Sequence, residues 1–413
     1  MAEAAPLSCR SCAAPLDRSF VDLGLSPISN ALRAPESSSE TVYLLRSFVC
    51  GACRLVQLQD VARREDHFHD AYTYFSSYSQ SWLDHARRYA ETMTARFGLG
   101  ADSLVAEVAS NDGYLLQYFR EAGIPVLGID PAANCAEIAQ RERGVPTIVT
   151  FFGAQAGADI AAQYGQADLI AANNVLAHVP DLNDFVAGFT TLLKPGGVVT
   201  FEFPHLLRMI EAGYFDTIYH EHYSYLSLLA VEPLFARHGL AVFDLEELPT
   251  HGGSLRLFVA PLAAGRSVSD AVLAFRAREQ AAGLESDDAY LAFAAKVRAV
   301  KRSLLRLLCD LKESGASIVA YGAPAKGVTL LNYCGIGSDF IDYAVDRSPH
   351  KQGFMLPGTG IPIHDPATIF ETRPDYLLIL PWNLKDEIMT QMAGIRDWGG
   401  RFVLPLPDPV VLP

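Results

Sequence analysis

From about residue 80 to 245 the chain repeats one device: a short apolar run, then polar or glycine-containing residues, then a stretch with helical spacing. The runs are Leu104–Val108, Val126–Ile129, Leu169–Ala172 and Val198–Phe203. That alternation is the sequence form of β-α-β units, so a doubly wound, mostly parallel sheet is predicted. Such sheets bind ligands beyond the carboxyl ends of their strands. A second set follows: Ser317–Tyr321, Phe340–Val345, Tyr376–Leu380 and Phe402–Leu404 read as strands, with Gly327–Tyr333 and Leu384–Met392 as helices. Another Rossmann-like unit is therefore expected at the end of the chain. Between the two, Phe293, Val297, Val300, Leu304, Leu307 and Leu311 recur at spacings of four and three. They predict a helix whose apolar stripe joins two domains.

With 413 residues the chain exceeds one ordinary core. Its start adds a different element, because Cys9, Cys12, Cys50 and Cys53 form two C-x-x-C pairs in a turn-rich stretch. Four thiolates suit a closed, structural zinc site and leave no open position for catalysis. A loop such as Pro27–Ser39 must bulge out between the pairs. Cys135, Cys309 and Cys334 are scattered and read as ordinary buried thiols. The net charge is −14, from 33 Lys+Arg against 47 Asp+Glu. Nucleic acid is not an expected partner, since binding it draws on Lys and Arg. No apolar run approaches the roughly 20 residues that span a bilayer, and the N-terminus lacks the features of a signal peptide. A cytoplasmic monomer with no membrane contact is expected.

The stretch from Val105 to Leu116 places a strand, a turn of small residues and a helix start in sequence. Ala109, Ser110 and Gly113 let a ligand approach the backbone. Asp130, just after the next apolar run, is placed to accept bonds from ribose hydroxyls. The motif G-x-G-x-x-G is absent, so the turn fits S-adenosylmethionine better than a dinucleotide. The candidate cofactor residues are Glu107, Ala109, Asn111, Gly113, Asp130 and Asn173. Just beyond the run Leu169–Ala172, Asn174 and His178 can face a substrate, although His178 equally suits a helix cap.

The densest chemistry lies in Phe215–Tyr225, where Tyr219-His220-Glu221-His222 groups histidines with a carboxylate and phenols. Histidine holds and moves protons near neutral pH, and a neighbouring carboxylate orients it. In an extended stretch Tyr219, Glu221 and Tyr223 share one face and His220 with His222 the other, unless a turn intervenes. A metal at the H-x-H pair and a purely structural polar cluster are the alternatives. Upstream, Tyr72-Thr73-Tyr74-Phe75-Ser76-Ser77-Tyr78 offers further phenols. In the second Rossmann-like unit, Ala320–Thr329 carries small residues and Lys326 into a helix start. Free N–H groups there, with Lys326, suit a diphosphate. Asp346 ends the next strand ahead of the basic Arg347–Lys351, and Arg256 is a further candidate phosphate contact.

Taken together, the C-x-x-C pairs, the Glu107–Leu116 turn, Asn174 with His178, the Tyr219–His222 run and His251-Gly252-Gly253-Ser254-Leu255-Arg256 resemble the nucleotide-sugar C-methyltransferases. The best-known of these are C-3' methyltransferases acting on TDP-linked 4-keto-deoxysugars of antibiotic pathways. The likeness runs through nearly the whole chain in the same order; Ala109 departs from the glycine that many methyltransferases carry there. The resemblance implies a zinc-binding domain over 1–70, a class I S-adenosylmethionine-dependent methyltransferase domain over 71–264, a helical connector over 265–314 and a Rossmann-like domain over 315–413 that helps hold the nucleotide diphosphate. It further implies His222 as base, supported by Glu221 and Tyr219, with Asn174, His178 and a tyrosine, Tyr74 ahead of Tyr72, beside the sugar. Lys326, Asp346 and Arg256 fall to the substrate side. The competing readings are an N- or O-methyltransferase for a small molecule, which needs no such base cluster, and a non-catalytic zinc and nucleotide-binding module.

Overall fold

The computed structural model describes residues 7–37, 39–61 and 75–413. Tyr72 and Tyr74 lie outside them. In chain order, β1 (Arg18–Pro27), β2 (Val42–Val49) and β3 (Val56–Leu58) form an antiparallel meander beside the cysteine pairs. Five parallel strands come next: β4 (Val105–Val108), β5 (Val126–Asp130), β6 (Thr147–Val149), β7 (Ala167–Asn173) and β8 (Leu193–Pro204). The two-residue β9 (Ser224–Tyr225) leaves this layer and pairs with β3. β10 (Leu240–Leu248) and β11 (Ser254–Pro261) return as an antiparallel hairpin against β8, giving the seven-stranded order β10-β11-β8-β7-β4-β5-β6. The chain reverses direction of growth between β4 and β7, which opens the ligand crevice at the carboxyl ends of these strands.

The last sheet takes β12 (Ile318–Tyr321), β13 (Ala344–Val345), β14 (Ile363–His364), β15 (Tyr376–Ile379), β16 (Arg401–Leu404) and β17 (Val410–Leu412) in the order β14-β13-β12-β15-β16-β17. All its pairs are parallel except β16 with β17. The fold is thus a small zinc-binding unit, a class I methyltransferase layer and a second Rossmann-like α/β unit, the class the sequence predicts. One expected strand is much shorter. Phe340–Val345 contributes only Ala344 and Val345, because Phe340 and Ile341 bond back to the carbonyl of Gly337 in a turn.

The connector is two helices, Asp270–Ala281 and Asp288–Glu313. The second buries Phe293, Val297, Val300, Leu304 and Leu308, while Leu307 and Leu311 are half-buried. Its stripe packs in one cluster with Phe20, Val21 and Leu45 of the first sheet and Ile318 and Ala320 of the last. Phe20 stacks on Phe293 with centroids 4.6 Å apart. One core therefore fastens the zinc-binding sheet to the C-terminal sheet. Cys309, expected to be buried, stands on the exposed side of this helix, whereas Cys135 and Cys334 are buried. No helix among the described residues is long and apolar enough to cross a membrane.

Candidate active site

The four paired cysteines converge as their spacing predicts. Their sulfurs lie within 4.8 Å of one another, with Cys9 to Cys53 at 3.5 Å and Cys12 to Cys50 at 3.6 Å. Four sulfurs placed about 2.3 Å from a zinc ion at tetrahedral corners stand roughly 3.8 Å apart, so the cluster fits the metal. The Ala52 and Cys53 N–H groups point at Cys50 Sγ, and Gln57 Nε2 donates to Cys9 Sγ at 3.1 Å, as thiolates require. Hydrogen bonds from Cys53 and Gln57 draw the Cys9 thiol down towards its ionised form.

Beyond β4 the chain turns through Ala109 and Asn111 with φ of 61° and 49°. The left-handed region costs an alanine on the order of 1 kcal/mol and persists where the surroundings enforce it. Here Ala109 N donates to Ile129 O, and Asn111 N to Asp130 Oδ2, both at 2.8 Å. The second Asp130 oxygen accepts from Ala132 N. Burial pushes the Asp130 carboxyl up to about 6 against these two donors. Asn173, at the end of β7, is buried with neither side-chain atom paired among the described residues. Burying an unpaired amide costs about 1–3 kcal/mol, and a polar ligand removes that cost. Asp130, Asn173 and the turn line a cavity of about 340 Å³, within the range of cofactor pockets. This donor and acceptor set fits the ribose and amino-acid end of S-adenosylmethionine.

Two expected cofactor residues stand behind the wall. Glu107 is buried within β4, where desolvation holds its carboxyl well above the usual range. Gly113 packs against Ala139 and Val145 at φ 77°. Neither lines the cavity. Asn111 does, but its Oδ1 accepts from Ser76 N at 2.9 Å and so anchors the incoming chain.

Across the cavity, Tyr219–His222 forms a tight turn closed by His222 N to Tyr219 O at 2.8 Å, which cancels strand-like alternation. The turn brings Tyr219 Oη within 2.7 Å of His222 Nε2. The opposite ring nitrogen, Nδ1, lies 2.8 Å from Thr217 O. A carbonyl only accepts, so Nδ1 carries the hydrogen and Nε2 presents its lone pair to the phenol. His178 is fixed the same way, its Nδ1 donating to Glu221 O at 2.8 Å. Burial, then the neighbouring His178, hold His222 well below the ordinary histidine range, so it stands neutral. Glu221 does not bond to His222. Both its oxygens accept from Asn30 Nδ2, at 2.7 and 2.8 Å. Burial raises this carboxyl to about 7, and Asn30 pulls against the rise.

The C-terminal unit completes the wall with Pro324, Ala325, Lys326 and Lys351. Lys326, at the start of helix Ala325–Cys334, reaches Asn383 Oδ1 at 2.9 Å and lies over the Trp382 ring. Desolvation lowers its pKa and Asp216 opposes that. Asp216 is itself buried, accepts from the Trp382 indole at 2.6 Å and is raised by burial to about 6. Two expected substrate contacts are engaged elsewhere. Arg256 is buried between Glu202 and Glu246, at 2.7 and 2.9 Å, with its guanidinium over Tyr89. Asp346 caps Ala323 N and Ser348 N. Neither lines the cavity, whereas Asn174 does.

Asn30, Trp82, Thr217 and His251 also line the cavity without having been assigned a role from the sequence. Asn30 comes from the loop beyond β1, far from any motif, and nothing in the spacing marks it. His251 sits in a quoted motif, and its signal is the pair of glycines that follow.

Family models match three consecutive parts of the chain: a zinc binding domain over 9–68, a methyltransferase domain over 82–245 and a C-methyltransferase C-terminal domain over 249–407. The C-methyltransferase NovU of Streptomyces niveus is 37% identical over 406 residues, 98% of this chain and 96% of that protein. A ubiquinone biosynthesis O-methyltransferase of Methylococcus capsulatus is 33% identical over 128 residues, 27% of this chain and 53% of its own. Among solved structures, a SAM-dependent methyltransferase from Anabaena variabilis is similar over 44% of this chain and 86% of its own, at 15% identity and a TM-score of 0.35.

Proposed function

The chain belongs to the sugar C-methyltransferase family and is an S-adenosylmethionine-dependent C-methyltransferase; from that premise we propose that it methylates C-3' of a nucleotide-linked 4-keto-deoxysugar, with TDP as the carrier. The observation that carries this reading is the Tyr219–His222 pair, held in one tautomer by the Thr217 carbonyl and bordering the same cavity as Asp130 and Asn173. An N- or O-methyltransferase attacks through a lone pair that its nucleophile already carries, so it has no C–H bond to ionise before transfer.

A hydrogen on the carbon beside a ketone leaves as a proton when the electron pair can move onto the carbonyl oxygen. The Tyr219–His222 pair is the proposed acceptor, with His222 Nε2 as the final sink and the Nδ1–H bond to Thr217 stabilising the imidazolium. When bound, S-adenosylmethionine supplies an electrophilic methyl group. The chain's part is to hold the enolate carbon facing that group at roughly 3 Å and to exclude water. His178 and Asn174 are assigned to the sugar. Lys326, with the helix N-terminus at Ala325 and with Lys351, is assigned to the diphosphate, whose charge would offset the desolvation of the lysine.

The test is incubation with labelled S-adenosylmethionine and a panel of 4-keto nucleotide sugars, with mass spectrometry locating the methyl. Label on C-3' is expected, and label on oxygen or nitrogen overturns the reading. His222→Asn is expected to lose about 10²-fold or more in both C–H exchange and methylation while binding the cofactor normally.

A further inference from the structure

Three imidazoles reach the cavity, and two of them present a lone pair. His178 and His222 each give Nδ1–H to a backbone carbonyl, which leaves Nε2 as the acceptor. His251 has the same tautomer, but its bond to the protein is made through Nε2 and not through Nδ1–H. Asn174 Nδ2 lies 3.3 Å from its Nε2. An amide nitrogen only donates, so Nε2 accepts and the ring hydrogen is on Nδ1. No hydrogen bond from this Nδ1 is made among the described residues, and the ring lines the cavity.

The backbone that places it is strained. His251 has φ 55° and is followed by Gly252 and Gly253 at 90° and 126°, in the turn between β10 and β11. Asn174, which meets the ring, is itself at φ 53°. Of the seven described non-glycine residues with positive φ, Ala109, Asn111, Asn174 and His251 line this one cavity. Strain of about 1–3 kcal/mol per residue survives where the surroundings over-determine it, and functional sites collect it. Trp82 packs against the His251 ring with centroids 5.3 Å apart.

We propose that His251 is a catalytic residue whose Nδ1–H donates to the substrate's carbonyl oxygen as that oxygen takes up negative charge. The proposal rests on the keto-sugar reading above. Breaking the C–H bond sends the proton to the Tyr219–His222 pair and the electrons through carbon to oxygen. Forming the C–C bond to the methyl returns that electron pair from oxygen to carbon and restores the ketone, while the methyl's bond to the donor sulfur breaks and its electron pair leaves on the neutral thioether. A donor held at the oxygen lowers the barrier to the first step. Burial, then Lys326, lower His251 to about 4, so at neutral pH it is an uncharged imidazole that polarises the oxygen without protonating it.

The experiment follows deuterium exchange beside the ketone in D2O, with S-adenosylhomocysteine in place of the methyl donor, and methylation separately. His251→Ala is expected to lose about 10²-fold or more in kcat for both, with cofactor affinity within about threefold of wild type. His251→Asn keeps an N–H near the Nδ1 position and tolerates left-handed backbone; it is expected to run at least about tenfold faster than the alanine variant. An alanine variant that exchanges at the wild-type rate overturns the proposal, and so does an asparagine variant no faster than alanine. A wild-type enzyme that neither exchanges nor methylates any keto sugar overturns the substrate reading, and the donor assignment with it.

Discussion

Glu221 shows how one side chain outside every motif can set the chemistry of one inside it. Its carboxylate is held by Asn30, and its pKa of about 7 is the outcome of burial raising it and that amide lowering it. The sign follows directly. A raised carboxyl is ionised only above its pKa, and an ionised Glu221 favours a protonated imidazole in the same cavity. Activity is therefore expected to fall as pH drops through about 7. Asn30→Ala removes the donor, raises the carboxyl further and moves that acid limb upward by about one pH unit, with the rate recovering near pH 9. A kcat/KM profile checks this, and a uniform loss at every pH contradicts it. The Tyr219–His222 run was legible in the sequence as a group. Which partner each member meets was not, because the turn, the Thr217 carbonyl and Asn30 are tertiary facts that adjacency does not encode.

At the scale of elements, β4, β5, β7 and β8 were readable because each carries a continuous buried run between turn signals, whereas β6 is half-buried to exposed and β14 is two residues long, and neither shows such a run. Lengths were less so. β13 shrinks to two residues where the turn at Gly337 captures Phe340, and β9, also two residues, carries no pattern by itself. Arg256 misled because a basic residue on a strand looks available, whereas here Glu202 and Glu246 neutralise it. The β10–β11 turn yields a structural prediction. A Cβ on Gly252 would lie 2.7 Å from the Trp382 ring and 2.9 Å from the Tyr214 ring, at φ 90°. Tyr214 stacks on Trp382, and Trp382 donates to Asp216. Gly252→Ala is expected to destabilise the protein by about 1–3 kcal/mol, measured by denaturant unfolding, and to raise KM for the proposed nucleotide-sugar substrate through displaced Trp382 and Lys326. Unchanged stability would show that this contact tolerates a side chain.

On the whole-molecule scale, the cavity has walls from all three units of the fold. The zinc-binding unit supplies Asn30, and its β3 pairs with β9 directly after the Tyr219–His222 turn. His220 Nε2 reaches Leu44 O at 3.3 Å from one side, and Thr329 Oγ1 donates to Ile218 O at 2.9 Å from the other. Zinc held by the four cysteines is therefore expected to act on turnover through structure. Replacing Cys9 and Cys50 by serine is expected to release zinc, lower the unfolding temperature and abolish methylation, while S-adenosylmethionine binding by the central sheet persists in calorimetry. A metal-free variant with full turnover contradicts that dependence.

The pairing of β3 with β9 has an evolutionary corollary. Two strands far apart in the gene share a ladder next to the Tyr219–His222 turn, so a crossover with a divergent relative anywhere between them joins halves that were never selected together. Functional recombinants should inherit both strands, and the Asn30 loop, from one parent.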